Sequence, residues 1–463
     1  MEFKIKNIAA IGQADITIDG ITIIAGENNT GKSTIGKALY AFLDNMSHWS
    51  DTYAYIIQKK TEQFLLQNST PLEDYCLSVS GAKRRRTSKI KQLIEKYISE
   101  QELMVAIEDY QVEEDSTKLT EILYSFGNDY LLVYFKNIDD KTKAKNDKFI
   151  TNWVKTVLSP LLAVELDELK LQTEQIYKSL EIIFDKQTRK IGTTQSSLTF
   201  IHDDRQVDYS INDSGIKMNT PLRFTNNIYF IESPKIYDYL SDTKFGKVQK
   251  QFLQSLMTPN VFRHNSTYLT NYTMELLNRY QEDFEINKHY LDIAHSLETT
   301  MGGRAEFLQK VGLEFKDNFL PETIHASNVS TGLKSLALLE YGLRIGAIEN
   351  DDVIILDEPE INLHPEWQIE YAKAIVELEK HCNIKFIITT HSPFFIRAIE
   401  CFSDLHNQMN NLNVYRIEKD QNNKQTIENV MYSEYGVSDL YEDLSAPLDK
   451  LEDLLKDKYG DAY

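Results

Sequence analysis

Phe3 to Lys6 alternates apolar and polar residues, Ile16 to Ile18 repeats the pattern, and Ile21 to Ala25 is apolar apart from Thr22 and closes on Gly26. Alternation marks a strand with one buried face, and a nearly continuous apolar run bounded by glycine marks a strand buried on both faces. From Ile35 to Leu43 the period changes: Ile35, Ala38, Leu39 and Phe42 recur at helical spacing. Strand, glycine loop and helix in that order open an α/β unit.

Between about residues 45 and 190, Leu, Ile, Tyr, Glu and Lys recur with helical period, Gly is sparse, and Pro71 and Pro160 punctuate. Helices are expected over Ile90 to Ile107 and Val164 to Phe184, but no heptad is sustained long enough for a coiled coil, so the block reads as compact and helical. Strand patterns return at Ser197 to His202 and Asn227 to Ile231; Lys235 to Leu297 is again mainly helical, and Arg304 to Phe319 reads as short strands. The last third alternates regularly. A helix is expected over Gly332 to Ile348, a strand over Val353 to Leu356, a helix over Pro365 to Leu378, a strand over Lys385 to Thr389, a helix over Pro393 to Cys401 and a strand over Leu412 to Ile417. Alternating strand and helix imply a parallel sheet. The expected division is therefore an N-terminal head segment (1–45), a helical insertion (46–195), strands returning to the head (196–235), a second helical segment (236–300), the C-terminal part of the head (301–420) and a helical tail (421–463).

Composition narrows the class. At 463 residues the chain exceeds one compact core, and 42 % hydrophobic with 26 % charged residues is the balance of an ordinary globular protein. Lys and Arg total 50 against 70 Asp and Glu, a formal charge of −20. Such a field repels phosphate backbones and anionic lipid, so any nucleic-acid contact must come from a local patch. Cys76, Cys382 and Cys401 are scattered, which suits neither a disulfide framework nor a zinc site and fits a reducing cytosol. The N-terminus lacks an apolar leader and no apolar run is long enough to span a bilayer, so the expected location is cytoplasmic, without membrane association.

Two motifs carry chemistry. Gly26-Glu27-Asn28-Asn29-Thr30-Gly31-Lys32-Ser33 fits GxxxxGK[ST] and sits between an apolar strand and a helix. In such a loop the glycines let backbone N–H groups wrap a phosphate, Lys32 reaches the β and γ oxygens, and Ser33 ligates Mg²⁺. The expected nucleotide contacts are Gly26, Asn28, Asn29, Thr30, Gly31, Lys32, Ser33 and Thr34. Val353-Ile354-Ile355-Leu356-Asp357-Glu358 is a buried strand tipped with two acids, placed at the sheet edge where open α/β folds bind ligands. Asp357 is expected to hold the metal and Glu358 to polarise the attacking water.

Further motifs surround this pair. Glu358 continues into Pro359-Glu360-Ile361-Asn362-Leu363-His364-Pro365, the next strand ends in Thr389-Thr390-His391-Ser392-Pro393, and Ser327 to Lys334 reads Ser-Asn-Val-Ser-Thr-Gly-Leu-Lys. Together they resemble the ATP-binding-cassette ATPases of the SMC, RecF and overcoming-lysogenization-defect type. The resemblance implies an α/β ABC-type ATPase head: a P-loop NTPase core on a mostly parallel sheet, interrupted by a large helical insertion. It implies ATP and Mg²⁺ as cofactors and a homodimer in which Ser330, Thr331 and Gly332 of one copy close over the γ-phosphate held by the other, with Asn362 and His364 in the loop that crosses the interface. It makes His391 a catalytic switch beside Glu358. A glutamine that members carry after a strand between P-loop and signature is not obvious here; Glu232 either takes that metal-facing place or ends a strand in a plain turn.

About 275 residues separate the two ends of the head, far more than a transporter cassette carries there, so the resemblance implies no membrane-domain partner. No nuclease carboxylate set follows Cys401. Ala446 to Leu455 is amphipathic and docks either on its own head or on a partner. Lys83-Arg84-Arg85-Arg86, with Lys89 and Lys91, is the densest basic cluster, either a solvated loop or a patch for nucleic acid or an acidic protein. Two functions fit: a regulatory ATPase of an antiphage system like those called Septu and PARIS, scaffolding a separate effector nuclease and forming higher homo-oligomers, or a RecF-like repair ATPase that binds DNA when ATP joins two heads.

Overall fold

The computed structural model describes residues 1–44, 46–47, 49–80, 87–99, 103, 106, 116–135, 140–162, 167–231, 288–308, 312–325, 328–419, 425–432 and 436–459. The chain divides into two compact units, one of Met1–Trp49 with Gln172–Tyr463 and one of Ser50–Leu171.

Among the described residues of the first unit the strands form three sheets. Glu2–Ile8 (β1), Ile11–Thr17 (β2), Gln195–His202 (β4), Arg205–Asn212 (β5) and Gly215–Met218 (β6) make an antiparallel sheet in the order β2-β1-β4-β5-β6. A second sheet has the order β14-β13-β3-β12-β11-β7, formed by Gln425–Asn429 (β14), Leu412–Lys419 (β13), Ile21–Ala25 (β3), Lys385–Thr390 (β12), Val353–Asp357 (β11) and Ile228–Ile231 (β7). Its five strands from β13 to β7 run parallel and only the edge strand β14 is antiparallel. Gly303–Leu308 (β8), Gly312–Asp317 (β9) and Ile324–His325 (β10) form a small antiparallel sheet.

The parallel sheet explains the continuous apolar runs. Every residue of β3 and of β11 is buried, as a strand covered on both faces requires. Lys32–Leu43 (α1) packs Gly36 against Ile355 and Phe230, while Pro365–Cys382 (α10) and Pro393–Leu405 (α11) contribute Tyr371, Ile375, Phe395 and Ile399 to the main core. Thr331–Arg344 (α9) is fastened to β8 through a buried carboxylate. Glu340 accepts from the Ala305 N–H at 3.2 Å and from Arg344, whose guanidinium also reaches the Ala305 carbonyl.

The second unit is helical. Its helices include Trp49–Asn68 (α2), Thr70–Ser80 (α3), Thr87–Ser99 (α4), Thr117–Tyr134 (α5) and Asp140–Leu162 (α6). Leu65, Leu72, Cys76, Phe126, Tyr130 and Trp153 share one core, pinned by Trp153 Nε1 donating to the Asn68 carbonyl at 2.9 Å and by Tyr134 donating to Glu73 at 3.1 Å. Burial pushes the Cys76 thiol up to about 12, which makes it packing rather than chemistry.

Several expectations meet a different outcome. Residues 421–463 do not form a wholly helical tail: β14 precedes the helix Ser438–Tyr459 (α12). This edge strand, Gln-Thr-Ile-Glu-Asn, carries too few apolar residues to announce itself. The compact helical unit ends at Leu171, short of residue 195, because Glu168–Ile183 (α7) continues into a segment grouped with the head. Lys83, Arg84, Arg85 and Arg86 lie outside the described residues, as do Glu232 and most of the expected helical stretch before Lys288–Met301 (α8). Lys89 and Lys91 are exposed on α4. No helix among the described residues is long and apolar enough to cross a membrane.

Candidate functional site

Register assembles the site. Ala25 pairs with Thr390 and Asp357 pairs with Thr389, so Gly26, His391 and Glu358 leave three adjacent parallel strands at the same edge. That carboxyl edge is where open α/β sheets take ligands. The motifs at positions 26, 357 and 391 thus become neighbours through the order β3-β12-β11, which inserts the histidine strand between the P-loop strand and the acidic strand.

In the loop after β3, Glu27, Asn28 and Asn29 are exposed and Thr30 is buried, with its hydroxyl on the Glu27 carbonyl at 2.8 Å. Gly31 has φ +99°, a conformation only glycine adopts without strain, and the Thr34 N–H returns to its carbonyl at 3.0 Å as α1 begins. Lys32 is 4 % exposed and donates to the carbonyls of Gly26 at 2.9 Å and Glu27 at 2.8 Å. Burial pushes its ammonium below the ordinary lysine range, and the carboxylates of Glu358, Asp357, Glu360 and Glu27 push it back up. One buried cation among four acids is a point charge that a phosphate can share. Ser33 is partly exposed at the start of the same helix.

On the acidic side, Asp357 is buried and accepts from the Thr389 hydroxyl. Glu358 has φ +52° and its N–H donates to the Thr389 carbonyl at 2.9 Å, so the chain turns sharply and carries the carboxylate out of the strand. His391 Nδ1 lies 3.5 Å from Glu358 and 3.8 Å from Glu360. Ser392 caps α11, accepting from the Phe395 N–H at 3.2 Å, which fixes the turn that bears His391.

The segment from Glu358 to His364 is a tightly bonded loop: Ile361 N–H reaches the Glu358 carbonyl at 3.2 Å and Leu363 N–H the Glu360 carbonyl at 3.1 Å. Its far end meets the signature. A Cβ on Gly332 would stand 2.4 Å from the Asn362 carbonyl oxygen, so only glycine permits the approach of α9 to this loop. Asn362 itself has φ +64° and is exposed. Ser330 is the N-cap residue of α9, exposed, and its side chain makes no capping hydrogen bond; Thr331 is the first helical residue. His364 is the exposed N-cap of α10, with Nδ1 3.9 Å from Glu366.

Three residues outside the expected contacts complete the frame. Gln425 in β14 donates to the Thr30 carbonyl at 2.5 Å and accepts from the Gly12 N–H at 2.8 Å, while Lys419 donates to the Asn29 carbonyl. Glu360 accepts from Thr390. These anchors lie some four hundred residues, or for Glu360 thirty residues, away from what they hold, and no spacing rule points to them. Gln425→Leu should loosen the phosphate loop: an expected loss of about 1–3 kcal/mol in thermal unfolding, from the buried Thr30 carbonyl and the partly buried Gly12 N–H left without this partner, with weaker ATP binding in calorimetry.

The sequence matches the family described as AAA ATPase domain over residues 1–396, from the first strand through the histidine turn. The chain belongs to that family. Its fold class is the expected one, an α/β ABC-type ATPase head with a P-loop core on a mostly parallel sheet. Solved structures similar to this chain include an SMC head bound to the C-winged helix domain of ScpA, at 12 % identity and TM-score 0.42, covering 93 % of this chain and 97 % of that one. The SMC head domain from Thermotoga maritima is similar at 11 % identity and TM-score 0.36, covering 93 % and 98 %. The Smc head domain with an extended coiled coil bound to the C-terminal domain of ScpA, derived from Pyrococcus furiosus, is similar at 11 % identity and TM-score 0.39, covering 98 % and 99 %.

Proposed function

We propose that this member of the AAA ATPase domain family is a cytoplasmic, nucleotide-gated switch whose two copies close on two ATP molecules and open when ATP is hydrolysed. The observation that carries the reading is the juxtaposition at one sheet edge of buried Lys32 with Asp357, Glu358 and His391. Gly26 to Thr34 wrap the phosphates of the nucleotide, Lys32 leaving the carbonyls of Gly26 and Glu27 to bind the β and γ oxygens. Ser33 and Asp357, a hydroxyl and a carboxylate, are the all-oxygen donor set that suits Mg²⁺ together with phosphate oxygens. Bound there, Mg²⁺ offsets the negative charge on the phosphates. Glu358 polarises the attacking water and His391 orients it.

Ser330, Thr331 and Gly332 complete the site of a second copy. The exposed Ser330 hydroxyl stands at the N-terminus of α9, where backbone N–H groups and the helix dipole favour an anion. Asn362 and His364 are exposed on the adjoining loop and fit the crossing of such an interface. In this reading ATP bridges the two halves, and its hydrolysis removes the bridge.

The biological role proposed is that of a regulatory scaffold in an antiphage system of the Septu or PARIS kind, holding a separate effector nuclease and assembling beyond the dimer. The −20 charge and the helical unit in place of a long coiled coil favour it over a RecF-like clamp that tracks DNA. Co-purification of the protein expressed with its genomic neighbours tests this role. A stoichiometric small nuclease is the expected result; salt-sensitive, ATP-dependent duplex binding by the protein alone would replace it with the repair reading.

A further inference from the structure

The loop after β11 contains a second carboxylate, Glu360, that neither the phosphate contacts nor the water activation described above employs. Its burial is unusual for an acid: 4 % exposed, with Oε1 accepting from the Thr390 hydroxyl and from the His391 backbone N–H at 3.4 Å. The other oxygen, Oε2, is buried without a hydrogen-bond partner among the described residues. A buried carboxylate with spare acceptor capacity costs free energy unless something uses it.

The adjacent imidazole has the matching deficit. His391 is 40 % exposed as a side chain, yet Nδ1 is buried and has no hydrogen-bond partner among the described residues. Nδ1 lies 3.5 Å from Glu358 Oε1 and 3.8 Å from Glu360 Oε1, at or just beyond the limit of hydrogen-bond reach. The exposed part of the ring is therefore away from Nδ1. An Nδ1–H has two acceptors within a small ring movement, and the choice between them decides what Glu358 is free to do.

We propose that Glu360 is a positioning residue: it takes the Nδ1–H of His391, fixing the ring so that Nε2 accepts a hydrogen bond from the attacking water, and leaves Glu358 uncommitted for that same water. The two acids are suited to different tasks. Glu360 is immobilised by Thr390 and by the backbone of the residue it orients, whereas Glu358 sits on a left-handed turn with a quarter of its side chain exposed. A fixed carboxylate on one imidazole nitrogen sets the tautomer and aims the other nitrogen. Catalytic hydrogen bonds that are long in the free protein commonly tighten when substrate arrives. Two residues beyond Glu360 the same loop carries the Asn362 carbonyl against Gly332, so the setting of His391 and the seat of the signature helix belong to one piece of backbone.

This proposal rests on the ATPase reading, and a double-mutant cycle separates the two. Glu360→Gln is nearly isosteric and keeps an acceptor for Thr390. It should lower kcat about 10- to 100-fold with KM for ATP changed no more than about twofold. In a His391→Ala background the same substitution should lower kcat no further, because its effect passes through the ring. Independently of how Glu360→Gln folds, ¹⁵N-histidine NMR of the wild-type protein, with His391 assigned by its loss in His391→Ala, should show the Nδ1–H tautomer. Full turnover in Glu360→Gln, a loss that multiplies with that of His391→Ala, or an Nε2–H tautomer would each overturn the proposal while leaving the ATPase intact. A wild-type protein without any ATP turnover would remove both.

Discussion

Lys32→Ala should abolish ATP binding while leaving the fold intact. Lys32 is 4 % exposed and its ammonium is bonded to the carbonyls of Gly26 and Glu27, where Glu358, Asp357, Glu360 and Glu27 all act on it. Triphosphate brings several negative charges to this edge, and without Lys32 the acids already there would repel them. Loss of one partner from a desolvated charge pair costs about 2–5 kcal/mol, roughly 30- to 5,000-fold in Kd. Isothermal calorimetry with ATP and Mg²⁺ measures it, and circular dichroism checks the fold. Retention of micromolar affinity would contradict the phosphate-loop assignment.

Glu358→Gln should do the opposite: keep ATP and stop its turnover. The side chains are nearly isosteric, and the φ of +52° at this position is no harder for Gln than for Glu, so the turn out of β11 survives. What disappears is the anionic oxygen 3.5 Å from His391 Nδ1. Removal of the water-polarising base is expected to lower kcat about 10²- to 10⁴-fold. Phosphate release measured under saturating ATP gives the number, and filter retention of labelled ATP shows that binding persists. A variant that hydrolyses ATP at the wild-type rate would leave Glu358 without the proposed role.

The two ends of the head were legible because local chemistry marks them. Ile21 to Ala25, apolar apart from Thr22, and Val353 to Leu356 read as buried strands from their nearly continuous apolar runs, and the loops after them carry the glycine–lysine and paired-acid patterns expected of a phosphate site. The placement of β12 between β3 and β11 was not legible, since strand order is decided by long-range packing, yet it is what brings His391 between Gly26 and Glu358. The strands β5 and β6 went unassigned although Val207, Tyr209 and Ile211 alternate with polar residues, because the runs are short and a polar turn at Asp213 and Ser214 interrupts them. Gln425 and Lys419 were invisible for a different reason. Their function is to hold main-chain carbonyls of the phosphate loop, and a backbone acceptor leaves no trace in side-chain sequence. Glu360 stood in plain view within the motif, but its burial, which separates it from Glu358, follows only from the left-handed turn at Glu358 and the reach of Thr390.

The claim that ATP joins two heads is tested most directly by the solution mass of Glu358→Gln. Light scattering should show the mass doubling when ATP and Mg²⁺ are added, and the doubling should vanish when Ser330→Arg is combined with it, because Ser330 stands exposed at the N-terminus of α9 and not at its own phosphate loop's anchors. A mass that ignores ATP, or a doubling that Ser330→Arg leaves untouched, would contradict the sandwich.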